Sequence, residues 1–244
     1  MTAAKKSTGA HTAARNQARL AAEQAAARRR ERRVLLAVLA GIVALVVAGG
    51  IGLQAWRTSR APAAVPVPSQ SATAVTITTG RPVVLGDASA PVVLTLFVDF
   101  HCPHCAEFED QYASVLDQAR QSGRARVEIY PMAFIDEGSA AAANAFACAA
   151  EAGFGPGYYA GLFANRNLIW NDDQLIALAS AVGGTASPEF TRCVTSRAHA
   201  GWVESINAAA EQRGVTSTPA LFVDGALVDV TKLTPERLAT MINH

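Results

Sequence analysis

The stretch VVLTLFVDFHCPHC, residues 92–105, leaves few folds open. Residues 92–99 are a continuous apolar run after Pro91 and predict a buried strand. Pro103 suits the first position of a helix. From there to about residue 121, Phe108, Tyr112, Val115, Leu116 and Ala119 fall on one helical face. Cys102 and Cys105 therefore sit where a buried strand gives way to a helix. Such a pair is a redox couple, half of a metal site, or a structural disulfide.

The position favours a redox couple. At a helix N-terminus the Cys102 sulfur meets unpaired N–H groups and the positive end of the helix dipole, and both stabilise a thiolate. His104 can add a donor or a positive charge. A more stable thiolate means a more stable reduced form and a more oxidising disulfide. Cys105, one turn further in, is the less exposed partner that closes or resolves the bond. Glu107, Glu109 and Asp110 would oppose the thiolate at close range, and we expect them to face solvent. A structural zinc site takes four ligands. His101, Cys102, His104 and Cys105 lie within five consecutive residues and cannot all converge on one ion, and Cys148 and Cys193 follow Cys102 by 46 and 91 residues. A purely structural bridge inside CxxC closes too short a loop to remove much chain entropy.

Residues 34–53, VLLAVLAGIVALVVAGGIGL, carry no charge. As a helix they would be about 30 Å long, matching the hydrocarbon core of a bilayer. RRRERR directly before them places the N-terminus in the cytoplasm, and Trp56 and Arg57 follow as an interfacial anchor. A cleaved signal peptide is the alternative, although its apolar core typically runs only about 7–15 residues. In both cases the remainder is exported. Residues 1–33 hold nine Lys/Arg against two Glu, while the rest of the chain holds 12 basic and 18 acidic residues. A basic head on an acidic body argues against a nucleic-acid binder, which carries its charge on the folded domain. All four cysteines follow the apolar segment, in a compartment where disulfides persist, and four cysteines allow three connectivities.

The chain thus divides into a basic cytoplasmic segment (1–33), a transmembrane helix (34–53), a Pro/Ala-rich tether (54–74) and a globular part (75–244). Within the last, residues 126–131 read as a second strand and about 139–214 as a helical block. Asn171 or Asp172 and Ser187-Pro188 start helices in that block, and Gly214 ends its last one. Residues 220–225 and 226–230 form a hairpin around Asp224-Gly225. In LTPERLATMI, Thr234 caps a final helix, Pro235 opens it, and Leu233 and Leu238 have the spacing of a hydrophobic staple. His199 reads as a surface or half-buried side chain, and His11 and His244 lie near the termini. Phe146, Phe154, Phe163, Trp170 and Trp202 read as core of the block.

FVDFHCPHC after a strand, a long helical insertion, and GVTSTPALFVDG before a hairpin and final helix resemble the DsbA-type thiol–disulfide oxidoreductases of the thioredoxin fold. The likeness is greatest to the membrane-anchored, single-span forms of actinobacteria and covers about residues 82–243. It implies an α/β thioredoxin fold with an inserted helical subdomain, preceded by one transmembrane helix. It implies Cys102 as nucleophile and Cys105 as its partner, with Pro103 and His104 between them. Pro219 would be a cis-proline, with Thr218 before it, facing the sulfurs and guiding substrate backbone. Cys148 and Cys193 would form a structural disulfide between two helices; a second redox relay lacks the CxxC spacing and helix-start context. There is one departure. Many relatives carry a buried acid six residues before the nucleophile, where this chain has Leu96. Asp99, three residues before Cys102, has no assigned role.

The resemblance further implies an enzyme that introduces disulfides into reduced, unfolded exported proteins, with no bound cofactor and no metal. Its reoxidant in actinobacterial relatives is a membrane-embedded vitamin K epoxide reductase homologue. A tether, rather than a dimerisation domain, before the fold favours a monomer. The alternatives are a disulfide isomerase or reductase of the same superfamily and, in a different class, a thioredoxin-like copper-binding chaperone.

Overall fold

The computed structural model describes residues 41–42 and 73–243. The basic segment, most of the expected transmembrane helix and nearly all of the tether lie outside the described residues. Gly41 and Ile42 are helical and exposed. Among the described residues, no helix is long and apolar enough to cross a membrane.

Five strands form one sheet: β1 (Val83–Leu85), β2 (Val92–Val98), β3 (Ala125–Pro131), β4 (Ala220–Val223) and β5 (Ala226–Val228), in the order β1-β3-β2-β4-β5. The longest apolar run takes the centre, and every residue from Leu94 to Val98 is buried. β2 and β3 are parallel, so the chain must cross over between them, and α1 (Pro103–Gln121) makes that crossing. β4 pairs antiparallel on the other side, which sets Leu96 between Ile129 and Leu221. β1 leaves no sign in the sequence, because three residues carry no periodicity. Its antiparallel pairing, Val83 opposite Ile129, is what makes it a strand. Asp224 and Gly225 have φ of 48° and 81°, the left-handed pair that a two-residue hairpin turn needs. Asp224 Oδ1 also accepts from Val93 N at 2.8 Å, which ties the turn to β2.

The helical block comprises α2 (Glu137–Glu151), α3 (Gly155–Ala164), α4 (Asp172–Ala181), α5 (Pro188–Thr195) and α6 (Ala200–Gln212). It starts two residues earlier than expected, because Asp136 caps α2 by accepting from Ser139 N at 2.9 Å. Every residue from Ala141 to Ala150 is buried. Small side chains on all faces let α3, α4, α5 and α6 approach α2 at once. A disulfide between Cys148 and Cys193, Cα atoms 6.0 Å apart, joins α2 to α5. Asn171 and Gln174 form a capping box on α4, and Ser187 Oγ accepts from Phe190 N to cap α5. Thr234 does the same for α7 (Pro235–Asn243), with Leu233 and Leu238 buried beside it.

The five expected core aromatics, Phe146, Phe154, Phe163, Trp170 and Trp202, are all buried. Phe100 packs against Phe146, Tyr159 and Phe163 with ring centroids 5.2–5.9 Å apart. These contacts fix the end of β2, and so the start of α1, against the block.

Candidate active site

Cys102 is the N-cap of α1, with extended backbone (φ −75°, ψ 118°), and Pro103 follows at the first helical position. The bend is held by Cys102 N donating to Asp99 O at 3.0 Å. Both cysteines are free thiols; Cys102 is 7% exposed and Cys105 is fully buried. A hydrogen bond from the Cys105 thiol is the largest influence on Cys102. With help from the Thr218 side chain and the N–H groups of Cys105 and His104, it brings Cys102 down to about 5 against the opposing effect of burial. Cys105 moves the other way, pushed far up by burial first and by its bond to Cys102 second.

Thr218 faces this pair, and the Thr218–Pro219 peptide is cis. As a thiol, Cys102 Sγ donates to Thr218 O at 3.5 Å. Thr218 Oγ1 is buried and makes no hydrogen bond among the described residues. Its hydroxyl is a donor in waiting for the thiolate, which cannot keep its bond to the carbonyl. An open groove of about 450 Å³ runs from here between α1 and the segment after β5, lined by His104, Phe108, Tyr112, Pro219 and Val230.

The two histidines beside the cysteine pair face different partners. The His104 ring lies in solvent, 3.1 Å from Glu107, and is held above its ordinary value by Glu107 first and by the Cys102 charge last. Its backbone N–H donates to the sulfur, and its ring acts on it through charge alone. His101 turns away altogether. Its Nδ1 meets both oxygens of Asp136 at 2.7 and 2.8 Å, and its ring lies so close to Gly138 that a Cβ there would come within 2.3 Å of Cε1. Asp136 is held below the usual carboxylate range: burial opposes this, but Ser139 N–H and the His101 ring outweigh it. Asp99 is fully buried, and its carboxylate accepts from His101 N (2.8 Å), Ser139 Oγ (2.7 Å) and Phe134 N (3.2 Å). It is a structural pin that joins the end of β2 to the start of α2.

Two acids face solvent as expected, but Glu109 does not. Glu107 is exposed, and Asp110 pairs with Arg166 at 2.8 Å on the surface. Glu109 is 8% exposed, lies one helical turn beyond Cys105, and accepts a hydrogen bond from Tyr159 OH. Burial raises its carboxyl to about 7. The signal was available in the sequence: Cys105, Glu109, Tyr112 and Leu116 share one helical stripe, and all four are buried. Leu96, six residues before Cys102, is fully buried between two apolar partners and can move no proton. Glu109 and Tyr159 also line a small cleft of about 40 Å³ with Asp117 and Arg120, large enough for a water.

A family model described as thioredoxin matches residues 78–244. The chain belongs to that thioredoxin family. The matched region contains every site residue described above. No curated protein matches the sequence. Among solved structures, this thioredoxin-family chain is similar to the reduced form of the disulfide bond oxidoreductase DsbG from Mycobacterium tuberculosis. The two are 22% identical with a TM-score of 0.59, over 68% of this chain and 88% of that one. It is similar to DsbA from the same organism at 21% identity and a TM-score of 0.58, over 67% and 91%. It is similar to MdbA, a thiol-disulfide oxidoreductase from Corynebacterium diphtheriae, at 23% and 0.59, over 71% and 95%. At these identities the likeness establishes a shared α/β thioredoxin-like fold with helical elements.

Proposed function

We propose that this protein is an exported, membrane-tethered thiol–disulfide oxidoreductase that introduces disulfides into reduced proteins through Cys102 and Cys105. The observation that carries the proposal is the unlike setting of the two sulfurs, one at a helix N-cap facing the cis peptide and the other fully buried inside the helix.

In the oxidised enzyme a substrate thiolate attacks Cys102 Sγ. The Cys102–Cys105 bond breaks, and its electron pair leaves on Cys105. Burial makes the Cys105 anion costly, so this sulfur takes up a proton. Glu109, half protonated near pH 7 and bonded to Tyr159, is the nearest buried acid on the same helical face. A second substrate thiolate then attacks the substrate sulfur of the mixed disulfide and expels Cys102, a good leaving group because it is stable as an anion. Substrate gains a disulfide and the enzyme holds the two electrons. Reoxidation returns them to a membrane oxidant, for which the resemblance implies a vitamin K epoxide reductase homologue. Residues 34–53 would keep the site near that partner.

The copper-chaperone alternative draws on Cys together with His; in this structure His101 is paired with Asp136 and His104 with Glu107. Copper titration of the reduced protein separates the two readings, since tight stoichiometric binding at Cys102 and Cys105 would overturn the oxidase proposal. Isomerase or reductase activity differs from oxidase activity in redox poise. Equilibration with glutathione tests this, alongside oxidation of a reduced, unfolded substrate. We expect a couple more oxidising than the glutathione pool and no substrate oxidation by Cys102→Ser. A strongly reducing couple would favour a reductase. Oxidation that survives Cys102→Ser would remove the nucleophile assigned here.

A further inference from the structure

We propose that the cleft beside Glu109 is the solvent port of the exchange site, in which a water held by Glu109, Asp117 and Arg120 passes protons between bulk solvent and the buried acid. The inference rests on the function proposed above and adds an outer half to its proton path. Glu109 is buried, and one of its carboxyl oxygens is occupied by Tyr159 OH. An acid in that position is spent after one transfer unless something refills it.

The helix itself lays out the route. Positions 105, 109, 113 and 117 of α1 are spaced by four and stack along one side of the helix. They hold Cys105, Glu109, Ala113 and Asp117. The third of these is small, and Pro156 and Ala160 of α3 form the wall across from it. The short side chains leave the opening of about 40 Å³, with room for a water. A water there needs two to four polar partners. Glu109, Asp117 and Arg120 all line the cleft and supply them, while β1 and β3 contribute only Leu85, Val127 and Ile129. The lining also grades from inside to outside: the Arg120 side chain is 11% exposed and that of Asp117 is 40% exposed.

The mouth is fixed in place. Arg120 Nη2 donates to Asp117 Oδ1 at 3.0 Å. The Arg120 stem lies over Gly86, where an added Cβ would come within 2.7 Å of Arg120 Cγ. Asp117 and Arg120 are therefore positioning residues, which hold the water against Glu109. The charge of Asp117 also favours the protonated forms of Glu109 and Tyr159, and the Asp110 charge acts on Glu109 in the same sense. In the first exchange step Glu109 gives its carboxyl proton to the departing Cys105 sulfur. The water gives a proton to the Glu109 carboxylate, and bulk solvent restores the water at the Asp117 end. Reoxidation returns one proton by the same path.

The port is tested in the full-length protein by infrared spectroscopy and by single-turnover exchange. The protonated Glu109 carboxyl gives a stretching band, assigned by its loss in Glu109→Gln, and transfer into heavy water reads how fast solvent reaches it. Exchange is measured at pH 8, above the Glu109 value of about 7, where the acid must be refilled within each turnover. Ala113→Leu and Ala160→Leu block the cleft from opposite walls. We expect each to slow both deuteration and exchange by about tenfold or more. Asp117→Asn removes a surface charge and should move the pH midpoint of the Glu109 band downward. Native near-ultraviolet circular dichroism identifies the variants that fold, and the Asp117 arm stands whichever of them do. If Glu109→Gln slows exchange but the folded plug variants deuterate and exchange like the parent, the port is overturned and the relay survives. An unmoved midpoint in Asp117→Asn overturns it as well. If Glu109→Gln leaves exchange unchanged, the relay falls and the port falls with it.

Discussion

Replacing Glu109 with glutamine tests whether a buried acid has been kept at a cost to stability. The folded value of Glu109 is about 7, against an ordinary 4.5. At 1.36 kcal/mol per unit, that difference is about 3 kcal/mol. The sign follows from which state binds the proton. Below pH 4.5 both folded and unfolded chains are protonated and nothing is lost. Between 4.5 and 7 the unfolded chain releases the proton while the folded one holds it, so stability falls as pH rises. Above 7 the folded carboxyl ionises too and the loss levels off. Glutamine cannot ionise, and its amide oxygen still accepts from Tyr159. The stability of Glu109→Gln relative to the parent should therefore rise by about 3 kcal/mol between pH 4 and pH 8. Urea unfolding at pH 4, 6 and 8, with the redox state of all cysteines fixed, measures this gap. A gap that is the same at all three values would mean that Glu109 titrates like a surface carboxylate, and the relay would fail with it. The gain in stability should come with slower exchange, because the Cys105 proton loses its partner; stopped-flow measurement of single turnovers reads that loss.

Iodoacetamide alkylation of Cys102 should be half-maximal near pH 5, and Thr218→Val should raise that midpoint by about one to two units, because a hydrogen bond to a charged group contributes about 1.5–3 kcal/mol. Offered a substrate that already holds a disulfide, the Cys102 thiolate of Cys105→Ser should attack it, expel one substrate thiolate and stay joined to the other sulfur, since no second enzyme thiol is left to release it; mass spectrometry under non-reducing conditions detects the mixed disulfide. Loss of the Cys148–Cys193 bridge, which closes a 45-residue loop, should lower unfolding stability by about 4 kcal/mol, measured by urea titration of the double serine variant. Gly138→Ala would set a Cβ 2.3 Å from His101 Cε1 and 2.7 Å from Ile169 O; a loss of about 1–3 kcal/mol is expected, seen as a lower melting temperature.

The central architecture was legible because it rests on long, strongly patterned segments. β2 is one apolar run, α1 is one apolar stripe, and Asp224-Gly225 and Thr234-Pro235 are turn and cap signals with a local cause. β1 was not legible, because its existence depends on a partner 46 residues away rather than on its own three residues. The site was legible where spacing alone decides it, as with Cys102 at a helix start. It stayed open where direction decides it. His101 and His104 adjoin the nucleophile in sequence, yet one ring points to Asp136 and the other to solvent. Charge led to the expectation that Glu109 faces water, but helical phase put it inside. Asp99 could not be assigned, because its three donors come from residues 101, 134 and 139.

A single helical turn makes the two sulfurs unlike, and that difference orders the exchange. Cys102 precedes the helix, where N–H groups are free to face a sulfur. Cys105 lies inside it, where its side chain meets only the core. Attack on the disulfide at Cys102 expels the sulfur that cannot remain an anion, so the first step runs only as fast as a proton reaches Cys105. The second step expels the sulfur that can, and needs no acid. Leu96 closes the route from the sheet side. On the function proposed above, the proton's source is placed along the helix itself, at Glu109 and Tyr159 and the small cleft they line. On this reasoning the missing acid at position 96 and the buried acid at position 109 are one feature. Restoring an acid by Leu96→Glu should make Glu109→Gln far less harmful to exchange than it is in the parent. If Glu109→Gln slows exchange equally with and without Glu at 96, the two positions do not share a proton, and the relay through Tyr159 is wrong.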